Sequence, residues 1–168
     1  NVLGPMTNPA GAKRQVIGVF SRDWQLKMAE VLQLLGSEHA MVVHSDGLDE
    51  IRLDAPTHVM ELKNGAITEY DISPSDLGLE PRTDADLAGI VADSAASSLD
   101  LVRQSLTDDS SAAADIVALN AGAAIYVSGV ANSLSNGVAM AQDAISSGHA
   151  KERLAELVRI TSLMSESS

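Results

Sequence analysis

The sequence contains no cysteine. Disulfides, zinc–thiolate centres and thiol nucleophiles are therefore excluded, which fits a cytoplasmic protein. Aromatic residues are almost absent: Phe20, Trp24, Tyr70 and Tyr126 are the whole set. Any core must be built from Val, Leu, Ile, Ala and Met. Basic residues are few, 11 against 23 acids, for a formal net charge of −12. General nucleic-acid binding and binding to anionic membranes both draw on a basic surface, so neither is expected. No apolar run is long enough to span a bilayer, and no basic-then-apolar leader opens these residues. Walker loops, Gly-x-Gly-x-x-Gly and Gly-x-Ser-x-Gly are missing. His39, His44, His58 and His149 do not stand at zinc-ligand spacing.

What is present suits a folded domain. The 168 residues are 45 % hydrophobic, enough for one domain with a real core. Charge is uneven. Residues 84–148 carry eight acids against the single base Arg103, which reads as a solvated helical surface. The first residue is Asn and not Met, so the sequence is expected to start inside a larger gene product.

Residues 1–14 hold two Pro and two Gly and read as a structured loop, with Asn8-Pro9 initiating a turn. Gln15–Phe20 is a short apolar run of strand length. Ser21 is placed to cap a helix over residues 22–35, with Trp24, Met28, Val31, Leu32 and Leu35 at helical spacing and Gly36 just beyond it. His39–His44 is the next strand. Strand, helix and strand predict a right-handed crossover and a parallel pair. Residues 57–63 and 66–72 flank Asn64-Gly65, the signature of a type I′ hairpin. The charged residues alternating along this hairpin suggest one exposed face. Residues 73–91 read as a loop with one helical turn.

Beyond this point the chain becomes Ala-rich and helical, over 92–106, 112–131, 134–147 and 149–164. The segment 112–131 is so apolar that it is expected to be buried, and Ala121-Gly122-Ala123-Ala124 allow close backbone packing. The last helix, amphipathic around Leu154, Leu157, Val158 and Ile160, is expected to cap the domain. The fold class is α/β: a mixed sheet with a parallel βαβ core and an antiparallel hairpin, then a helical C-terminal region.

The candidate site is Asp49-Glu50. It follows the strand Met41-Val42-Val43 and a turn at Gly47. In open α/β sheets, ligands bind outside the carboxyl ends of the strands, and adjacent acids there suit a hard cation such as Mg²⁺. His44 beside them reads as a structural histidine. Asn120, in the middle of an apolar helix, is expected to hydrogen-bond across to a neighbouring element.

Six segments, in order, resemble the carboxyl half of the anthranilate phosphoribosyltransferase family. They are residues 1–9, Ile17-Gly18-Val19, Val43 through Glu50, Ala55-Pro56-Thr57, Leu77-Gly78-Leu79 and Leu119-Asn120-Ala121. Their order and spacing are coherent across nearly the whole chain, and the first and third are the most specific. The resemblance implies the α/β lobe of the nucleoside phosphorylase and phosphoribosyltransferase type fold, here residues 1–168. The helical lobe and the phosphate-binding loops would precede Asn1. It implies transfer of a phosphoribosyl group from phosphoribosyl diphosphate to anthranilate, with release of pyrophosphate, in tryptophan biosynthesis. By motif it assigns Mg²⁺ binding to Asp49 and Glu50. It also implies a homodimer for the full-length enzyme.

The family's Gly-rich phosphate loop, the Lys-bearing loop after it and the anthranilate-contacting Arg have no counterpart in these residues. The glycine pair usual after Leu87-Ala88-Gly89 is also replaced, with Ile90 following. No catalytic residue is therefore expected in this stretch, and the isolated stretch is expected to be inactive. The alternatives are a non-catalytic ligand- or nucleic-acid-binding relative of the same fold and a pyrimidine-nucleoside phosphorylase. The acidic balance and the Asp-Glu pair favour the transferase.

Overall fold

The computed structural model describes residues 3–7 and 10–166. Leu3–Met6 form a single helical turn, α1, where a loop was expected. The Thr7 amide donates to Gly4 O at 3.2 Å to close it, and four residues are too few to show a periodicity. The expected turn at Asn8-Pro9 lies outside the described residues.

The apolar run that follows forms β1 (Arg14–Gly18). It pairs in parallel with β2 (His39–His44), Ile17 opposite Val42. The crossover between them is a 3₁₀ turn, Arg22–Trp24, leading into α2 (Gln25–Leu34). Ser21 caps the turn as expected, its Oγ accepting from the Asp23 amide at 3.3 Å. The buried stripe of the helix is narrower than its spacing predicts. Trp24 falls in the 3₁₀ turn and Leu35 at the C-cap, and both remain exposed.

β3 (Thr57–Lys63) and β4 (Ala66–Ile72) form the predicted hairpin. Asn64 and Gly65 both adopt positive φ, 52° and 78°, as a type I′ turn requires. β3 pairs antiparallel with β2, so the sheet order is β1-β2-β3-β4. After a 3₁₀ turn at Pro74–Leu77 come α3 (Asp84–Ala88), α4 (Ala95–Ser105), α5 (Ala112–Ser128), α6 (Leu134–Ser146) and α7 (His149–Glu166).

Helices cover both faces of the sheet. On one, Met28, Ala29 and Leu32 of α2 pack on Ile17, Ala40, Val42, Met60 and Leu62. On the other, Leu119, Ala123 and Val127 of α5 pack on Met41, Val43 and Val59. This second layer corrects the expectation of an exposed hairpin face. β3 is buried from Thr57 to Leu62, and within the hairpin it is β4 that faces solvent. The charge that made β3 read as half-exposed, Glu61, is absorbed by a local cluster. Its Oε1 accepts from His39 Nε2 at 2.7 Å and from Tyr126 Oη at 2.8 Å, and its Oε2 accepts from Tyr70 Oη at 2.8 Å. Lys63 Nζ donates to Tyr126 Oη at 2.9 Å.

α5 runs between the sheet and α6. Its small residues do what their pattern suggests. A Cβ on Gly122 would lie 2.6 Å from Val138 Cα, and one on Gly137 would lie 2.3 Å from Gly122 O. Each glycine lets the other helix approach at backbone distance. α7 does not cap the domain as expected. Gly148, at φ 81°, turns the chain away from α6, and Leu157, Val158, Ile160, Leu163 and Met164 stay exposed. The buried face of α6 is already occupied by α5. No helix among the described residues is long and apolar enough to cross a membrane.

Two outcomes follow from this packing. Gly122→Ala forces α5 and α6 apart and is expected to cost about 1–3 kcal/mol, read as a lowered denaturation midpoint. Burial pushes the Glu61 carboxyl up, but the hydrogen bonds from Tyr70, Tyr126 and His39 outweigh it and hold it below the ordinary glutamate range. A folded-state pKa below the unfolded one stabilises above the unfolded value, and that stability is lost as pH falls through the folded value. Tyr70→Phe raises the Glu61 pKa and is expected to move the acid-unfolding midpoint, followed by circular dichroism, to higher pH. At neutral pH the same change is expected to cost about 1.5–3 kcal/mol, the range for a hydrogen bond to a charged group.

Candidate metal site

The parallel strands β1 and β2 end side by side. Val19 N–H donates to Val43 O at 3.0 Å just past the end of β1, and His44 Nδ1 donates to Val19 O at 2.8 Å. His44 is thus a satisfied structural histidine, as the sequence suggests. The chain leaving β2 makes a tight turn. The amides and carbonyls of Ser45 and Leu48 exchange hydrogen bonds of 3.0 and 2.7 Å, and Asp46 and Gly47 form the tip. Asp49 and Glu50 come next, at the carboxyl end of the parallel pair.

The backbone that carries them is held from several sides. Ser45 Oγ donates to Glu50 O at 2.7 Å. Its other contact is Thr57 Oγ1 at 2.9 Å, and Thr57 Oγ1 also accepts from the Arg52 amide at 3.1 Å. With the Ser45 proton committed to Glu50 O, the Thr57 hydroxyl donates to Ser45. The Asn120 carboxamide of α5 meets both backbone polar groups of Ile51: Oδ1 accepts from the Ile51 amide and Nδ2 donates to Ile51 O, each at 3.0 Å. The cross-element hydrogen bond expected of Asn120 is present, and its partner is the segment that follows the two acids. Ile51 and Leu53 anchor that segment in the core. Gly18 is the floor beneath it. A Cβ there would lie 1.5 Å from Asp49 O, so only glycine lets the loop lie this close to β1. Arg52 closes the far side, its Nη1 donating to Asp46 O at 2.7 Å and its guanidinium pairing with Asp54. That hydrogen-bonded pair holds the Asp54 carboxyl below its usual range and raises Arg52.

The two side chains at issue are left open. Asp49 and Glu50 are exposed, and among the described residues no hydrogen bond or ion pair reaches either carboxylate. Both are hard oxygen donors. Mg²⁺ binds through one or two carboxylates and fills its remaining positions with water and phosphate oxygens, so the pair fits that ion. Among the described residues no three His, Asp or Glu side chains are gathered to hold a metal by themselves, so the phosphate and water share would be essential.

Gly18, Ser45, Thr57 and Asn120 all stand in segments that carry the family resemblance. Spacing alone does not show that Gly18 and Asn120, far apart in the chain, meet one loop.

A mixed sheet with helices on both faces and acids at the carboxyl ends of its parallel strands defines a class before it defines a protein. The chain belongs to the glycosyl transferase family, a/b domain, which matches residues 1–151. It is similar to anthranilate phosphoribosyltransferase of Teredinibacter turnerae, 55 % identical over 97 % of this chain and 48 % of that protein. It is also similar to that of Ectopseudomonas mendocina, 52 % identical over 99 % of this chain and 48 % of that protein. Among solved structures, the anthranilate phosphoribosyltransferase of Thermus thermophilus superposes with a TM-score of 0.83 at 38 % identity, over 94 % of this chain and 46 % of that one. The Saccharomyces cerevisiae enzyme, solved in complex with PRPP and Mg, shares the fold with a TM-score of 0.76 at 23 % identity, over 91 % of this chain and 44 % of that one. The chain spans about half the length of the curated relatives it matches.

Gly18→Ala is expected to lift the loop off β1. The measurement is hydrogen exchange at the Ile51 amide, whose protection by Asn120 should fall while the amides of β2 keep theirs.

Proposed function

We propose that the full-length gene product carrying this chain transfers the phosphoribosyl group of phosphoribosyl diphosphate to the amine of anthranilate. The products are N-phosphoribosyl-anthranilate and pyrophosphate, in tryptophan biosynthesis. The observation that carries this reading is the 55 % identity to an anthranilate phosphoribosyltransferase sustained over 97 % of the chain. The open Asp49-Glu50 pair at the strand ends agrees with it.

In this reading residues 1–168 are the carboxyl part of the enzyme, and Asp49 and Glu50 hold Mg²⁺ on the diphosphate of the donor. Bound there, the ion neutralises the charge that develops on the leaving pyrophosphate. The chain's own contribution is placement. β1 and β2 bring the loop to the strand ends, and Gly18, Ser45 and Thr57 fix its backbone. Its two carboxylates face solvent, and among the described residues no ion pair reaches either. With a net charge of −12, this surface repels a polyanionic donor unless a cation stands between them. Gripping the phosphates and binding anthranilate fall to the rest of the full-length product, so the 168 residues alone are not expected to turn over.

The test is calorimetric titration of phosphoribosyl diphosphate into the full-length product with and without Mg²⁺. Binding is expected to need the metal, and Asp49→Asn combined with Glu50→Gln is expected to weaken it at least tenfold, with turnover falling in parallel. Equal binding in the absence of metal would overturn the assignment of the two acids. Turnover by the purified 168-residue chain at the rate of the full-length product would overturn the division of labour.

A further inference from the structure

We propose that Asn120 is a positioning residue for the metal site: it acts through the Ile51 backbone to set where Asp49 and Glu50 present their carboxylates. This rests on the reading that those two acids hold Mg²⁺.

Asn120 sits on α5, 69 residues away in sequence from the peptide it holds. Its carboxamide has one acceptor and two donor hydrogens in use. Oδ1 takes the Ile51 amide, while Nδ2 gives one hydrogen to Ile51 O and the other to Ile116 O on its own helix, all at 3.0 Å. The amide orientation is fixed by its partners, because the Ile51 N–H can only donate and the Ile51 carbonyl can only accept. The side chain therefore pairs with one residue of the loop much as a neighbouring strand would.

No strand is available to do this. β2 has ended at His44, and β3 does not begin until Thr57. Ile51 is buried at 1 % exposure, where unpaired backbone groups are costly. A substitute for Asn120 that cannot both accept and donate must leave at least one of those groups unpaired or let the loop shift to find water.

Such a shift is transmitted directly, since Glu50 shares a peptide bond with Ile51 and Asp49 is one residue further. A second hydrogen bond on this stretch, Ser45 Oγ on Glu50 O, acts on the opposite side of the Glu50–Ile51 peptide. Asn120 supplies the hydrogen bonds that tie this stretch to the helical layer, where Ile51 also packs. Residues that orient the ligands of a metal commonly change its affinity by about ten- to a hundredfold when removed.

The experiment uses the full-length product and reads the Mg²⁺ concentration at which phosphoribosyl diphosphate binding is half-complete. Asn120→Ala is expected to raise that concentration at least tenfold. Asn120→Asp keeps the acceptor for the Ile51 amide, loses the donors to Ile51 O and Ile116 O, and is expected to raise it by less. A residue that only supported the fold would lower the amount of binding-competent protein and leave the midpoint in place. An unchanged midpoint in a folded Asn120→Ala protein overturns the proposal. Should that variant not fold, the near-isosteric Asn120→Asp decides by the same midpoint. The parent reading fails separately: wild-type binding would then not depend on Mg²⁺, or would survive Asp49→Asn with Glu50→Gln.

Discussion

The constraint on which the structure depends is the two-sided burial of β2. Ala40 and Val42 point to α2, while Met41 and Val43 point to α5, and all four are at 1 % exposure or less. A strand covered on both faces cannot shift by one residue without exchanging every contact. Its ends are therefore fixed in space, and so is whatever leaves them. The loop with Asp49 and Glu50 inherits its position from this strand and from β1 beside it.

A loop that carries open charges must still satisfy its own backbone. Between His44 and Thr57 there is no ladder to do so, and Ile51 and Leu53 are buried. Side chains replace the missing ladder, with Ser45 serving Glu50, Asn120 serving Ile51 and Thr57 serving Arg52. Polar residues at these positions bind the peptide chain, which frees the two carboxylates to face outward without partners. Order in the backbone and availability in the side chains are here one arrangement.

Much of the architecture was legible in the sequence, because it rests on local rules. Ser21 caps the first crossover, as its place before the helical spacing suggests. Asn64-Gly65 dictates its turn. Long-range facts were harder to read. β3 looked half-exposed because Glu61 is charged, and nothing near it in sequence announces Tyr126 as its partner. α7 looked like a cap because amphipathicity says that a face wants cover, not that this fold supplies it. At the site, Asp49 and Glu50 stand out by position. The need for Gly18 becomes visible only when a loop much later in the chain lies across it.

β4 closes the sheet on the hairpin side, and among the described residues no strand lies beyond it. Glu69 and Asp71 stand exposed along it, beside Thr68. An open row of backbone donors and acceptors is a template for another chain to add to. Here that template carries two acids, Glu69 paired with Arg22 at 3.1 Å and Asp71 paired with His58 at 2.7 Å. A second copy approaching in register would set acids against acids at sheet spacing. Like charges facing one another there oppose growth of the sheet at its open edge.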